Sequence, residues 1–525
     1  MNIVKKYNLD KLRFVALLVL ALQLSSCNDF LDNDNEFYHV ATQEQQWNSL
    51  TDTRAALFGV YGLMRSALGE NNTYWAVGDL RLGDFTVRVR DDLQAIRDNK
   101  LNESYPLIQQ IANWRRFYKV VNAASVFIEN AGKVLEKDDA YSETNYQYDV
   151  AQVRVLRALA YFYMVRMWGD VPLLKYSYDN GTFPEVPRTD AEIVLKYVKD
   201  ELKAVAPLLP ELLGAASDKY YGGDADKWRG WLLNRYSVYA ILAHVSAWEG
   251  NYVDVETYAG YVWDNAEKIK AACIPIEDLV GPTGIFSVSY ANTNRAARLV
   301  TFGYNYESTE VDESTVDGHL ESWTLADPII SKALPDIFIS KDSLVKIFMQ
   351  DATGDTRFGF DETGRYYTNY IKGLNLDIPV FSKVNVLRDG KGTTSDHAVF
   401  GSFIILSRME DMALLRAEAL TMLNRGEDAV TYLNEVRNLR GLVTLSYEKD
   451  LSKGGAELLL KEIFNERRKE FMGEGHYWFD QIRRARILGD NPEMVELVNS
   501  GKIYWPVADD VLKANPEITQ NECWK

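Results

Sequence analysis

The stretch NERRKEFMGEGHYWFD, residues 465–480, gathers Glu466, Glu470, Glu474 and Asp480 with Arg467, Arg468, Lys469 and His476. Such groups can act as acid, base or ligand, and no other stretch of the chain is as dense in them. Glu470 and Glu474 raise the sharpest hypothesis, a glycosidase-like carboxylate pair, which requires one of the two to keep its proton through a raised pKa. The neighbouring Arg467, Arg468 and Lys469 push the other way, because a cation beside a carboxylate favours its charged form. Helical spacing supplies a structural reading. Leu460, Ile463, Phe464 and Phe471 fall on one stripe with Arg467 inside it, so that guanidinium must be paired, since an unpaired buried charge is strongly destabilising. Glu462, Glu466 and Glu470 lie beside it as carboxylate partners, and Gly473 and Gly475 end the helix. Beyond the break Trp478, Ile482 and Ala485 form a second stripe, where Asp480 can pair with Arg483 or Arg484. The expectation is a structural corner, and no catalytic residue is assigned.

The rest of the chain offers no competing chemistry. His39, His244, His319, His397 and His476 are scattered without HExxH or His-x-His spacing, so no metal site on imidazole is expected. There is no Gly-rich phosphate loop and no GxSxG elbow, and no cofactor is expected. Besides Cys27 only Cys273 and Cys523 remain, and their positions leave open whether they pair. A formal charge of −17 argues against nucleic acid, which demands a basic footprint. At 525 residues, 47% hydrophobic and 25% charged, the chain has the composition of a folded globular protein.

The N-terminus carries an address. Lys5, Lys6, Lys11 and Arg13 precede the apolar run Phe14 to Leu22, which is too short to span a bilayer and reads as a secretory signal over 1–26. Leu24-Ser25-Ser26-Cys27 resembles the bacterial lipobox, in which the Cys is acylated and becomes the mature first residue. Cys27 is the expected lipid attachment, each buried methylene contributing about 0.8 kcal/mol of membrane affinity. Removal of the signal takes the formal charge from −17 to −20. Residues 27–43, with Asp29, Asp32, Asp34 and Glu36, read as an acidic, solvated tether.

The elements that must hold these groups are mostly helices. Apolar residues at i, i+3, i+4 and i+7 predict helices over 44–68, 104–135, 145–168, 190–205, 231–249, 253–270, 407–424 and 427–439, the third closed by Gly169 and Pro172. Two pairs, 240–262 and 413–436, each give a small-residue helix, a Gly turn at Gly250 or Gly426, and a second helix. That is the logic of tetratricopeptide repeats, although generic antiparallel pairs in an all-α core account for it equally well. From 273 to 400 the composition shifts to Gly, Asp, Thr and Tyr. Strand-like runs "IFSVSY" and "PVFSKVNVL" and the turn "RDGKG" lie there, and loops this long place the binding surface in this region.

The elements "CNDFLD", "RALAYFYMVRMWGDVPLL", "ILSRMEDMALLRAEALTMLNRGEDAVTYLNEVRNLRG", "LLLKEIFNERRKEFMGEGHYWFDQIRR" and "IYWPVADDVLKANPEITQN", in this order, resemble the SusD/RagB family of surface lipoproteins from Cys27 to the C-terminus. The resemblance implies a mostly α fold, an α-α superhelix of four tetratricopeptide-like helix pairs with an irregular loop-rich portion and a few short strands. It makes 44–525 a single SusD-like domain, with an N-terminal helical part (44–272), a loop-rich ligand-facing part (273–400) and a C-terminal part (401–525). It also implies a place on the outer membrane facing the exterior, and a partner, a SusC-like TonB-dependent outer-membrane transporter, to which captured glycan is delivered without catalysis. A peptide receptor of the same lid type, or a scaffold that binds only protein, are the alternatives. Because an aromatic face suits the C–H face of a pyranose, the candidates on ligand-facing loops are Tyr74, Trp75, Tyr304, Tyr306 and Trp323. The competing reading for each is a core aromatic.

Overall fold

Ser49 starts the ordered architecture: its hydroxyl accepts from the Asp52 N–H while the Asp52 carboxylate accepts from the Ser49 N–H, a reciprocal cap that satisfies two orphan donors of helix α1 (Leu50–Gly69). The computed structural model describes residues 46–178, 185–215, 220–290, 292–303, 318–327, 332–348, 353–391 and 396–525. The signal at 1–26, Cys27, the tether over 27–43, Tyr304 and Tyr306 all lie outside the described residues. Residues 49–525 form one compact unit.

The helices of twelve residues or more follow the apolar periodicity closely. After α1 come α2 (Arg115–Asn130), α3 (Glu143–Trp168), α4 (Ala191–Val205), α5 (Arg235–Glu249), α6 (Tyr252–Asp264), α7 (Met409–Met422), α8 (Gly426–Leu439), α9 (Gly455–Glu470) and α10 (Tyr477–Leu488). Each packs on the next from α1 to α8, giving the successive pairs α1–α2, α3–α4, α5–α6 and α7–α8; α9 then packs on α7 and α8, and α10 on α9. This stacking is that of tetratricopeptide-like repeats, in which no pair can bury its apolar face alone. Helix α3 is buried on nearly every side, from Ala151 to Trp168, which is why its sequence is apolar around its whole circumference.

The turns show where spacing was enough and where it was not. Gly250 ends α5 with φ 76° and Asn251 caps α6 through the Asp254 N–H, as the Gly turn predicts. In the second pair the left-handed residue is Asn424, φ 59°; Gly426 instead opens α8, and a Cβ there would run into the Tyr447 ring. Gly169 does close α3, with φ 74°.

The strands are short antiparallel pairs: β1 (Thr86–Val87), β2 (Arg298–Phe302), β3 (Ile337–Phe338), β4 (Gly359–Phe360), β5 (Tyr366–Tyr367), β6 (Ile371–Lys372), β7 (Val380–Phe381), β8 (Leu387–Lys391), β9 (Asp396–Phe400) and β10 (Ile404–Arg408). They pair as β1–β3, β2–β10, β4–β5, β6–β7 and β8–β9. One strand expectation and one turn expectation are corrected. "IFSVSY" is a series of turns, with Ser287 N–H bonded to Gly284 O and Tyr290 N–H to Ser287 O. "RDGKG" is largely strand, because Leu387–Lys391 pairs with Asp396–Phe400. Among the described residues no helix is long and apolar enough to cross a membrane. Cys273 and Cys523 are both free thiols.

Candidate functional site

The charged stretch at 465–480 folds into the corner its spacing suggests, with partners drawn from far away in sequence. Arg467 is fully buried, and its guanidinium bonds Asp480 (2.8 and 3.2 Å) and Asp411 (2.9 Å). Two of the expected partners on its own helix, Glu466 and Glu470, go elsewhere. Glu466 pairs with Arg357 at 2.7 Å, and Glu470 sits among Arg357 (3.1 Å), Arg408 (2.8 Å) and Arg440 (2.7 and 2.9 Å). Glu474 receives Arg408 (2.9 and 3.0 Å) and the Lys383 ammonium. Asp480 does pair with Arg483, at 2.8 Å, whereas Arg484 turns out to Asp490. Helix α9 ends at Glu470, and Gly473 and Gly475 turn the chain with φ 78° and 75°. The turn must be glycine, because a Cβ on Gly475 would enter the Tyr74 ring.

The electrostatics answer the carboxylate-pair hypothesis. Burial by itself would raise the pKa of Glu470, but the guanidiniums of Arg440, Arg408 and Arg357 outweigh it and hold the carboxyl well below the usual range. Burial is likewise outweighed at Glu474 by Arg408 and Lys383, and its pKa is lowered. Both residues are nearly inaccessible, at 0% and 2% exposed. A general acid needs a retained proton and contact with substrate; this pair has neither. The corner is a closed ionic network in which each charge is met by partners, the arrangement a buried ion requires.

The loop-rich part is organised at a different place, around Gly303 and Gly318, the described residues on either side of 304–317. Arg65 of α1 donates to Gly303 O at 2.9 Å. Asn72 accepts from the N–H groups of Gly318 (2.7 Å) and His319 (3.1 Å) and donates to the Ser322 hydroxyl (3.0 Å). Asn71 and Asn72 both adopt left-handed backbone, φ 57° and 52°, a conformation that is uncommon outside glycine and collects at functional sites. Beside these contacts Ser402 donates to Glu321 at 2.6 Å, and His319 Nδ1 lies 3.3 Å from the Ser402 hydroxyl. Burial pushes the Glu321 carboxyl up to about 7 and the His319 imidazole down to about 3, so the imidazole is neutral at pH 7 while the carboxyl is about half protonated there. Two aromatic rings pack beside Gly303: half-buried Trp231 meets Phe403 edge-to-face at 5.0 Å, and Phe403 lies against Gly303, where a Cβ would strike its ring.

Three of the five aromatic candidates lie in the core. Tyr74 and Trp75 are each 3% exposed and Trp323 is 6% exposed. Tyr74 donates to Ile405 O (3.0 Å) and to Glu474 O, and the Trp75 indole donates to Gly473 O at 2.9 Å. Both rings fasten the N-terminal helices to the corner, a correction to their expected place on an open face: the polar tips that an exposed platform would offer to sugar hydroxyls are spent on backbone carbonyls. Tyr304 and Tyr306 belong to the segment that leaves Gly303, outside the described residues. Trp231 and Tyr366 were missed by the sequence argument. Tyr366 on β5 is 48% exposed and packs on Phe360 of β4 with ring centroids 4.3 Å apart. The legible signal was "FGFDETGRYY", aromatics on both sides of a Gly-containing turn.

The comparisons agree with this architecture. Residues 380–524 match the family model described as SusD family, and residues 89–234 match one described as "Starch-binding associating with outer membrane". A crystal structure of a SusD superfamily protein from Bacteroides thetaiotaomicron is 50% identical, with a TM-score of 0.83, covering 92% of this chain and 100% of that one. A SusD-like protein of Formosa agariphila is 25% identical over 98% of this chain and 99% of its own length. NanU of Bacteroides fragilis shares the fold at 19% identity, with a TM-score of 0.65, covering 93% of this chain and 99% of its own.

Proposed function

The chain belongs to the SusD family, and from that premise we propose that it is a lipid-anchored receptor on the outer membrane that captures oligosaccharide and passes it to a SusC-like TonB-dependent transporter without transforming it. The observation that carries the reading is whole-chain similarity to the family, joined to a matched model whose description is starch binding in association with the outer membrane. The lipobox-like Leu24-Ser25-Ser26-Cys27 supports the anchor at Cys27 and the tether over 27–43. The low pKa values and closed pairing of Glu470 and Glu474 support a non-catalytic role. The contacts of Arg65 with Gly303 and of Asn72 with Gly318 and His319 support a ligand face on this side of the molecule, with half-buried Trp231 as a nearby aromatic and Tyr304 and Tyr306 as the remaining platform candidates. Stacking on such rings needs little charge, which suits a receptor for neutral glycan in an acidic protein.

The test is a glycan array followed by calorimetry on residues 28–525, run beside a peptide pool. The expected result is binding to a defined oligosaccharide, weakened about tenfold or more by Tyr304→Ala or Trp231→Ala, the loss of about 1.4 kcal/mol that one stacking contact supplies. Binding confined to the peptide pool would replace the glycan reading with the peptide receptor.

A further inference from the structure

A small pocket of about 30 Å³ lies where α3, α5, β2, β10 and the glycine corner meet, lined by Arg166, His244, His476, Ser407 and Tyr74 together with apolar side chains of α3, α5, β2 and β10. That volume exceeds the roughly 10–15 Å³ one water requires and suits a single small ion. Its lining is not that of an ordinary apolar void. Arg166 is held between the faces of Phe162 and Phe479, 4.3 and 4.2 Å from its guanidinium carbon, and its Nε is buried with no acceptor among the described residues. His476 is 8% exposed, and its ring nitrogens bond no described residue.

The carboxylates that could neutralise Arg166 are engaged. Asp480 chelates Arg467 and also takes Arg483. Asp411 is held by Arg467 (2.9 Å), His244 (2.6 Å) and Ser407 (2.8 Å). Asp79 accepts from the Gly475 N–H, and burial pushes its carboxyl up to about 8, so at neutral pH it is mostly protonated. Rings stabilise a cation's face but leave a buried N–H unmet, and a buried donor without an acceptor, as Nε of the partly buried Arg166 is, is costly.

We infer that this cavity binds one small monovalent anion of chloride size, held by Arg166 and His476, which pins helix α3 to the glycine corner. The contact would be charge-assisted, N–H to anion, and its occupant must be small because the void is.

The test uses the folded chain as it stands. Crystals grown in sodium bromide in place of chloride should show an anomalous peak within hydrogen-bond reach of Arg166 and His476. In solution, replacing gluconate by chloride at fixed ionic strength should raise Tm by about 1–3 °C, saturating at tens of millimolar, as a ligand bound only by the native state does. Arg166→Met keeps the stem between the two rings and should abolish that response. An ordered water with no bromide signal would overturn the inference, as would a chloride response unchanged in Arg166→Met; the bromide experiment decides even if that variant does not fold.

Discussion

Glu470 shows what a single side chain can and cannot be in this protein. Its position near Glu474 invites an acid–base reading, but three guanidiniums from 357, 408 and 440 converge on it. Removing its charge strands those cations, so Glu470→Gln should lose about 3–5 kcal/mol of stability in urea unfolding at pH 7. The pH dependence has a definite sign. Because the folded pKa of Glu470 lies below its unfolded value, the contribution is complete above about pH 4.3 and is lost as pH falls toward the folded value. The stability gap between parent and Glu470→Gln should therefore narrow below about pH 4; a constant gap down to pH 3 would remove the carboxylate's charge as the cause. The sequence made Arg467's burial legible, since its place in an apolar stripe required a partner. It could not say which one, because Asp411 lies 56 residues upstream.

Elements were read well where local forces decide them. The periodicities over 145–168, 190–205 and 427–439 correspond to α3, α4 and α8 within two residues. They failed where conformation depends on a distant neighbour: "IFSVSY" alternates like a strand, yet it forms turns tied to Arg298, whose guanidinium donates to Ile285 O (2.7 Å) and to Ser287 O. The turn at Asn71–Asn72 likewise has its meaning only in three dimensions, where it grips Gly318 and His319. Asn72→Ala leaves two buried N–H groups without an acceptor, so a loss of about 1–3 kcal/mol is expected, read as a lower Tm. Asn72→Asp keeps the acceptor and should recover part of it. Equal losses in both variants would show that the left-handed backbone, and not the side-chain grip, is what the position needs.

For the molecule as a whole, the ends of the folded unit are fastened to each other. Arg81 is fully buried and donates to Ile503 O at 2.7 Å and to Lys502 O, Trp505 N–H donates to Met167 O at 2.6 Å, and the Trp168 indole donates to Pro506 O at 3.1 Å. Arg468 pairs with Asp84, and Arg188 reaches Asn521. A chain ending at Ser500 loses Trp505, which is 0% exposed, and strands Arg81. It should show no cooperative near-ultraviolet transition, while the complete chain unfolds in a single step with fluorescence and circular dichroism coincident; a truncated chain that still melts within about 5 °C of the parent would contradict this. The sequence by itself determined the class of this protein: helix periodicity, small-residue pairs and the motif order from CNDFLD to the C-terminus are local properties, fixed by the spacing of side chains along one helix. It also determined that Arg467, inside an apolar stripe, must be paired. Only the tertiary structure decided that Tyr74, Trp75 and Trp323 are core and that Arg65 holds Gly303 while Asn72 holds Gly318 and His319, because burial and long-range hydrogen bonds depend on segments hundreds of residues apart coming together.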